Sequence, residues 1–142
     1  LEQSRDNPVY YVQYASARIH SVFRKADVAG ITFDKKLAMN EKFETVTHEA
    51  EIKIAKKLAE WPRLVEIAAK TNEPHRIAFY LYELAGDFHS LWNKGNEISE
   101  LRFIQEDNHR ASCIKMAMIS AVLVVISSGL DILGVEPATH MN

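Results

Sequence analysis

With one cysteine, four prolines and five glycines in 142 residues, the chain excludes several classes of protein by scarcity alone. The lone Cys113 allows no internal disulfide, so packing must hold the fold, and a reducing, cytoplasmic setting is expected. The glycines stand apart at 30, 86, 95, 129 and 134, which leaves no glycine loop to cradle a nucleotide phosphate. No stretch alternates apolar and polar residues between turn signals, as strands require. Internal repeats and low-complexity tracts are missing as well. The longest charge-free run, Met116 to Leu130, has fifteen residues against the ~20 of a membrane span, and it contains Ser127, Ser128 and Gly129. A buried helix is expected there, and no membrane partner.

Catalytic and metal signatures are equally thin. Cys113 lies in an apolar helical repeat, where a structural thiol is the expected reading. Glu106 and His109 form one Glu-x-x-His, but a di-iron bundle needs two, with carboxylates from two further helices. The segment Thr47–Glu51 lacks the second histidine of a zinc-protease helix. Neither a catalytic centre nor a metal is expected. Seventeen Lys and Arg against 19 Asp and Glu leave a net charge of −2, so no overall basic field points to nucleic acid. The distribution is uneven, however. Arg5, Arg18, Arg24 and Lys25 gather near the N-terminus, and Glu41, Glu44, Glu49 and Glu51 follow later. A locally basic end can attract phosphate while the remainder repels it.

What is present is helix. Asn7-Pro8 supplies an N-cap and a first-turn proline, and Val12, Ala15, Ile19, Val22 and Phe23 follow at steps of three and four. This helix is expected to reach about Asp27 and stop near Gly30, with a long connection or a short extra turn over 30–43. A second helix is expected over 44–61, broken at Pro62, and a short third one through Leu64 to Ala69. A fourth starts at Pro74, carries Ile77, Leu81, Leu84, Phe88 and Leu91, and takes Gly95 as its C-cap. A last helix covers about 108–133 and ends at Gly134. The expected architecture is all-α, a single-domain bundle of about five helices over residues 1–142.

On the first helix Tyr11, Tyr14, Arg18 and Lys25 form a stripe beside the apolar one. Rings and guanidinium groups of this kind suit single-stranded nucleic acid, where unpaired bases stack and phosphates pair with cations. Spacing alone equally allows the tyrosines to rim the core with their hydroxyls in water. Trp92, ending the apolar stripe of the fourth helix, has the same two readings.

Three tracts resemble one family. "NPVYYVQYASAR" (Asn7–Arg18) is similar to the helix that opens the anticodon-binding domain of class I arginyl-tRNA synthetases. The tract Glu60–Asn93, with its Glu-Pro-His helix start and Tyr-Leu-x-Glu-Leu-Ala segment, resembles the middle of that domain. Arg110–Met141, with its Leu-Gly-Val…Met ending, resembles the close. Together they cover nearly the whole chain except the connection around 28–43. The resemblance implies a C-terminal domain that recognises the anticodon loop of arginine-specific tRNA. It also implies a parent enzyme that ligates arginine to tRNA with ATP and magnesium. The parent's catalytic domain, with His-Ile-Gly-His-type and Lys-Met-Ser-Lys-type motifs, would precede these residues, and the start at Leu1 rather than Met fits a piece of a longer chain. No cofactor is implied for the piece itself.

Carried over residue by residue, the resemblance points to Tyr14, Arg18, Trp92 and Met141 as tRNA-binding. Tyr14 and Trp92 would stack on splayed bases, Arg18 would pair with phosphate or a base edge, and Met141 would pack against the loop. The match has departures. Ser16 stands where histidine is frequent, Trp92 where tyrosine is common, and Asn142 extends past the usual terminal methionine. Ser112 and Cys113 are less typical of the last tract, which weakens an RNA role for the start of that helix. Related domains occur in cysteinyl and glycyl enzymes, and a helical protein-interaction module is the alternative outside this class.

Overall fold

A computed structural model describes residues 7–40 and 46–141, and every regular element in that range is helical. The helices are α1 (Pro8–Val28), α2 (Lys35–Asn40), α3 (Glu49–Thr71), α4 (His75–Glu97) and α5 (His109–Ile132), with a 3-10 turn at Ser99–Leu101. Four of them are long. The expected bundle of about five helices becomes one of four long helices, because the separation expected at Pro62 does not occur. Instead of breaking the chain, Pro62 sits inside a continuous α3 of 23 residues. It is exposed, so the carbonyl left without its donor can turn to water. Half-buried Trp61 and Leu64 on either side pack against the core and outweigh the local penalty of about 3 kcal/mol.

Helix ends follow the sequence signals closely. The Asn7 side chain accepts from the Val9 and Tyr10 N–H groups at 3.1 and 3.4 Å, satisfying two of α1's orphan donors. α1, α3 and α5 all stop in one way. A left-handed residue stands at the cap or just after it: Gly30 (φ +72°), Asn72 (φ +53°) and Gly134 (φ +73°). The next N–H then reaches back five residues, as in Ile31 to the Ala26 carbonyl at 2.9 Å and Val135 to the Leu130 carbonyl at 2.8 Å. Gly95 differs from expectation. It is buried inside α4, which continues to Glu97. A Cβ there would make an ordinary contact 3.6 Å from Arg102, so the position does not require glycine.

The four long helices share one core. α4 is central, packing against α1, α3 and α5. Its Leu81, Leu84, Phe88 and Leu91 meet Val12, Ala15, Ile19 and Val22 of α1 and Ile119, Val122, Ile126 and Leu130 of α5. α5 is long and apolar enough to cross a membrane by length and composition, but its apolar face is spent inside the bundle. Cys113 is buried there, its thiol donating to the Asp34 carbonyl at 3.2 Å. A second tie joins α3 to α5: buried Lys115 and Glu51 pair at 3.0 Å. α3 and α4 are joined by Tyr80, whose hydroxyl donates to the Lys57 carbonyl. Burial, with a smaller push from Glu60, raises that phenol to about 12.

The tightest approach is between α4 and α5. A Cβ on Gly129 would come within 2.7 Å of both Leu81 methyl groups. Gly129→Ala should therefore lower stability by about 1–2 kcal/mol in urea melts, overpacking exceeding the helix-propensity gain. In a Leu81→Ala background the same substitution should stabilise by about 1 kcal/mol, propensity alone remaining.

Candidate nucleic-acid interface

α1 has a core face and two flanks. One flank carries Tyr11, Tyr14, Arg18 and Lys25, and faces α4. Here the Arg18 guanidinium lies between two rings, its carbon 4.4 Å from the Tyr14 centroid and 4.8 Å from that of Trp92. Such cation–π contacts contribute ~0.5–2 kcal/mol each and fix the plane of the fork. Arg18 Nη2 donates to the Tyr14 hydroxyl at 3.2 Å, and Nη1 faces His89 Nδ1 at 3.0 Å. Arginine can only donate, so Nδ1 is the acceptor and the imidazole proton is on Nε2. That Nε2–H donates to the Tyr11 carbonyl at 3.2 Å. The two partners together assign His89 as the neutral Nε2–H tautomer.

The rings around this clamp divide the tyrosines. Tyr14 stacks near-parallel on Tyr10 with centroids 6.2 Å apart, and packs on His89 at 5.4 Å. Tyr11 turns toward Tyr82 and His89, at 5.1 and 4.6 Å. Trp92 is half-buried against Phe88 and Phe103, with the Lys25 ammonium 5.9 Å from its ring centre. Tyr11 thus serves the helix–helix seam, while Tyr14 and Trp92 frame the cation.

The other flank holds the chain's tail. Gln13 Nε2 donates to the Glu136 carbonyl at 3.1 Å, the Ser16 hydroxyl to the Ala138 carbonyl at 2.7 Å, and Arg24 Nη1 to the Thr139 carbonyl at 3.2 Å. Ser16 is fully buried by this contact. His20 lies among these groups; burial first, then Arg24 and His140, holds its imidazole below the ordinary 6.5. Tyr14, Arg18 and Trp92 are thus brought together. Met141, half-buried at the end of the tail, takes no part in the contacts that hold them.

A family model described as the DALR anticodon binding domain matches residues 12–141. The chain belongs to the DALR anticodon-binding domain family. This DALR domain is 62% identical over 142 residues to the arginine–tRNA ligase of Ruegeria pomeroyi and 56% identical over 142 residues to that of Roseobacter denitrificans. The arginine–tRNA ligase of Paracoccus denitrificans is 56% identical over 143 residues. In each case the whole chain is covered, but it spans only 24% of the relative's length. Among solved structures, a chain described as an arginyl-tRNA synthetase of Campylobacter jejuni superposes with a TM-score of 0.76 at 24% identity. The match covers 99% of the DALR domain and 28% of that chain, and establishes the likeness of fold.

Two features of the DALR domain escape its spacing pattern. His89 carries no motif of its own; its one signal is its position three residues before Trp92, on the face of α4 that meets α1. The anchoring role of Ser16 is invisible because its partner lies 122 residues away. As for metals, among the described residues no group of three or more His, Cys, Asp or Glu side chains converges. His48 instead caps α3, accepting from the Ala50 N–H at 3.1 Å, and His109 is the first residue of α5.

Two outcomes follow for the tail. Ser16→Ala should cost about 1–2 kcal/mol, since the Ala138 carbonyl loses its buried donor, and should speed amide exchange over 136–141. Because His20 binds its proton more weakly when folded, the unfolded chain takes that proton first as pH falls through 6.5. Stability present above pH 6.5 is therefore lost below it. His20→Gln should flatten this slope in urea midpoints measured from pH 7 to 5.

Proposed function

We propose that this DALR domain recognises the anticodon loop of arginine-specific tRNA, as the C-terminal part of an arginine–tRNA ligase acting in the cytoplasm. One observation carries the reading at the level of chemistry. A guanidinium is held between two half-buried rings on an open flank, in a chain whose family binds anticodons. The clamp meets the demands of an unpaired loop. Tyr14 and Trp92 present ring surface for base stacking, and Arg18, already oriented, meets phosphate or a base edge with little ordering cost. The tail then brings Met141 to the loop from the neighbouring flank.

The ligase as a whole would attach arginine to its tRNA using ATP and magnesium. The glycines of this domain are scattered, and among the described residues its carboxylates do not converge. ATP and magnesium belong with a catalytic domain of the same chain, which is the domain's second partner. The curated relatives favour the arginyl enzyme over the related cysteinyl and glycyl ones.

Fluorescence anisotropy with an arginine-tRNA anticodon stem-loop tests the proposal, the control being the same loop with its middle anticodon base changed. Tighter binding to the authentic loop is expected, falling about 5- to 150-fold in Trp92→Ala or Tyr14→Ala, the range of one lost base stack. Affinity should fall steeply with salt. Equal binding to both loops would leave only a basic RNA-contacting surface, and no binding even at low salt would favour the protein-interaction module instead.

A further inference from the structure

Beside the clamp, a cavity of about 190 Å³ opens between the end of α1, the end of α4 and the segment that follows it. It is small beside the roughly 300–1,000 Å³ of clefts for drug-sized ligands, and suits a single flat ring system. Its floor is apolar: Val22, Trp92, Leu101 and Phe103, three of them almost fully buried. Its rim is cationic, with Lys25 on one side and Arg102 on the other. No carboxylate lines it, although the chain as a whole is net negative.

The rim is built as well as charged. Gln105 Nε2 donates to the Ser99 and Arg102 carbonyls, both at 2.8 Å. The buried Ser112 hydroxyl accepts from the Gln105 N–H at 2.6 Å and donates to its carbonyl at 3.0 Å. The segment from 99 to 105 is thereby stapled to α5. Arg102 Nε donates to the Gly95 carbonyl at 2.9 Å, which fixes the side chain at its neck. Its terminal amino groups have no partner among the described residues. Lys25 is exposed, and its ammonium stands 5.9 Å from the Trp92 ring centre.

We propose that this cavity receives a second unstacked base of the bound RNA loop, with the adjoining phosphate held by Lys25 and Arg102. The proposal deepens the anticodon-loop reading and rests on it. A purely apolar ligand would leave two cations unused, and a free phosphate would leave the apolar floor unused; a nucleotide uses both. Asn96, on the rim, offers an amide that both donates and accepts toward a base edge. Trp92 is shared between the clamp and the cavity, so a strand that stacks at the first continues directly into the second. Only RNA already bound on the flank of α1 satisfies that continuity. The role assigned here to Ser112 is indirect: it positions the segment that carries Arg102.

An abasic scan of the stem-loop tests this, with each loop base removed in turn. It is run on this chain and on the same domain within a full-length arginine–tRNA ligase. The proteins are wild type, Arg18→Ala, Asn96→Trp (to close the mouth) and Lys25→Gln/Arg102→Gln. The expected result is one loop position where base removal weakens wild type about tenfold and Arg18→Ala to a similar degree, but leaves Asn96→Trp almost unaffected. The Lys25/Arg102 pair should weaken binding of every loop and lower the slope of log affinity against log salt by about one. If both cavity variants bind all loops as wild type does while Arg18→Ala is weakened, the cavity is not a base site and the anticodon reading stands. If wild type does not distinguish the authentic loop in either form, both proposals fall.

Discussion

The imidazole of His89 is the pivot on which the rest of this surface turns. One ring nitrogen accepts from the Arg18 side chain, and the other donates to the backbone of the same helix at Tyr11. A single buried ring therefore binds α4 to both the main chain and a side chain of α1, at two points about two helical turns apart. Hydrogen bonds with a charged partner contribute about 1.5–3 kcal/mol, and stranding either end of such a chain costs more than the bond is worth. The position of α1 on α4 is thus held by a polar link inside an otherwise apolar seam, and the rings of Tyr14 and Trp92 take their places around it.

Elsewhere the bundle divides the tasks of stability and specification. Leu81, Leu84, Phe88, Ile119 and Ile126 are essentially inaccessible to water, and side chains of that size stabilise by about 1.5–3 kcal/mol each when fully buried. The Glu51–Lys115 pair is a different kind of contact. Desolvating both charges offsets most of their attraction, so its value lies in fixing where the head of α3 meets α5. The Gly129–Leu81 approach fixes the corresponding distance between α4 and α5 by shape.

Much of this was legible in the residues themselves. Periodicity and capping located the long helices, because Asn7, Gly30, Asn72 and Gly134 act through local backbone chemistry. Pro62 misled because its penalty is local while the packing of Trp61 and Leu64 that overrides it is not. Gly95 misled because a single glycine is tolerated inside a well-packed helix as readily as at its end. The Tyr14–Arg18 half of the clamp follows from spacing on one helix. Its other half does not: Trp92 and His89 reach Arg18 from more than seventy positions away, and only the seating of one helix on another decides which side chains meet. The resemblance to the arginyl family supplied Trp92, and packing supplied His89.

Among the described residues, the hydrogen bonds from α1 side chains to the tail all go to its carbonyl oxygens, at Glu136, Ala138 and Thr139. Every residue owns such an oxygen, whatever its side chain. The grip is therefore blind to the spelling of the tail and sensitive to its count. Sequence drift over these positions leaves the anchors in place, whereas gain or loss of a single residue would shift everything beyond it by a step of about 3.3 Å. α1 acts in this sense as a ruler, measuring out where the last side chains arrive.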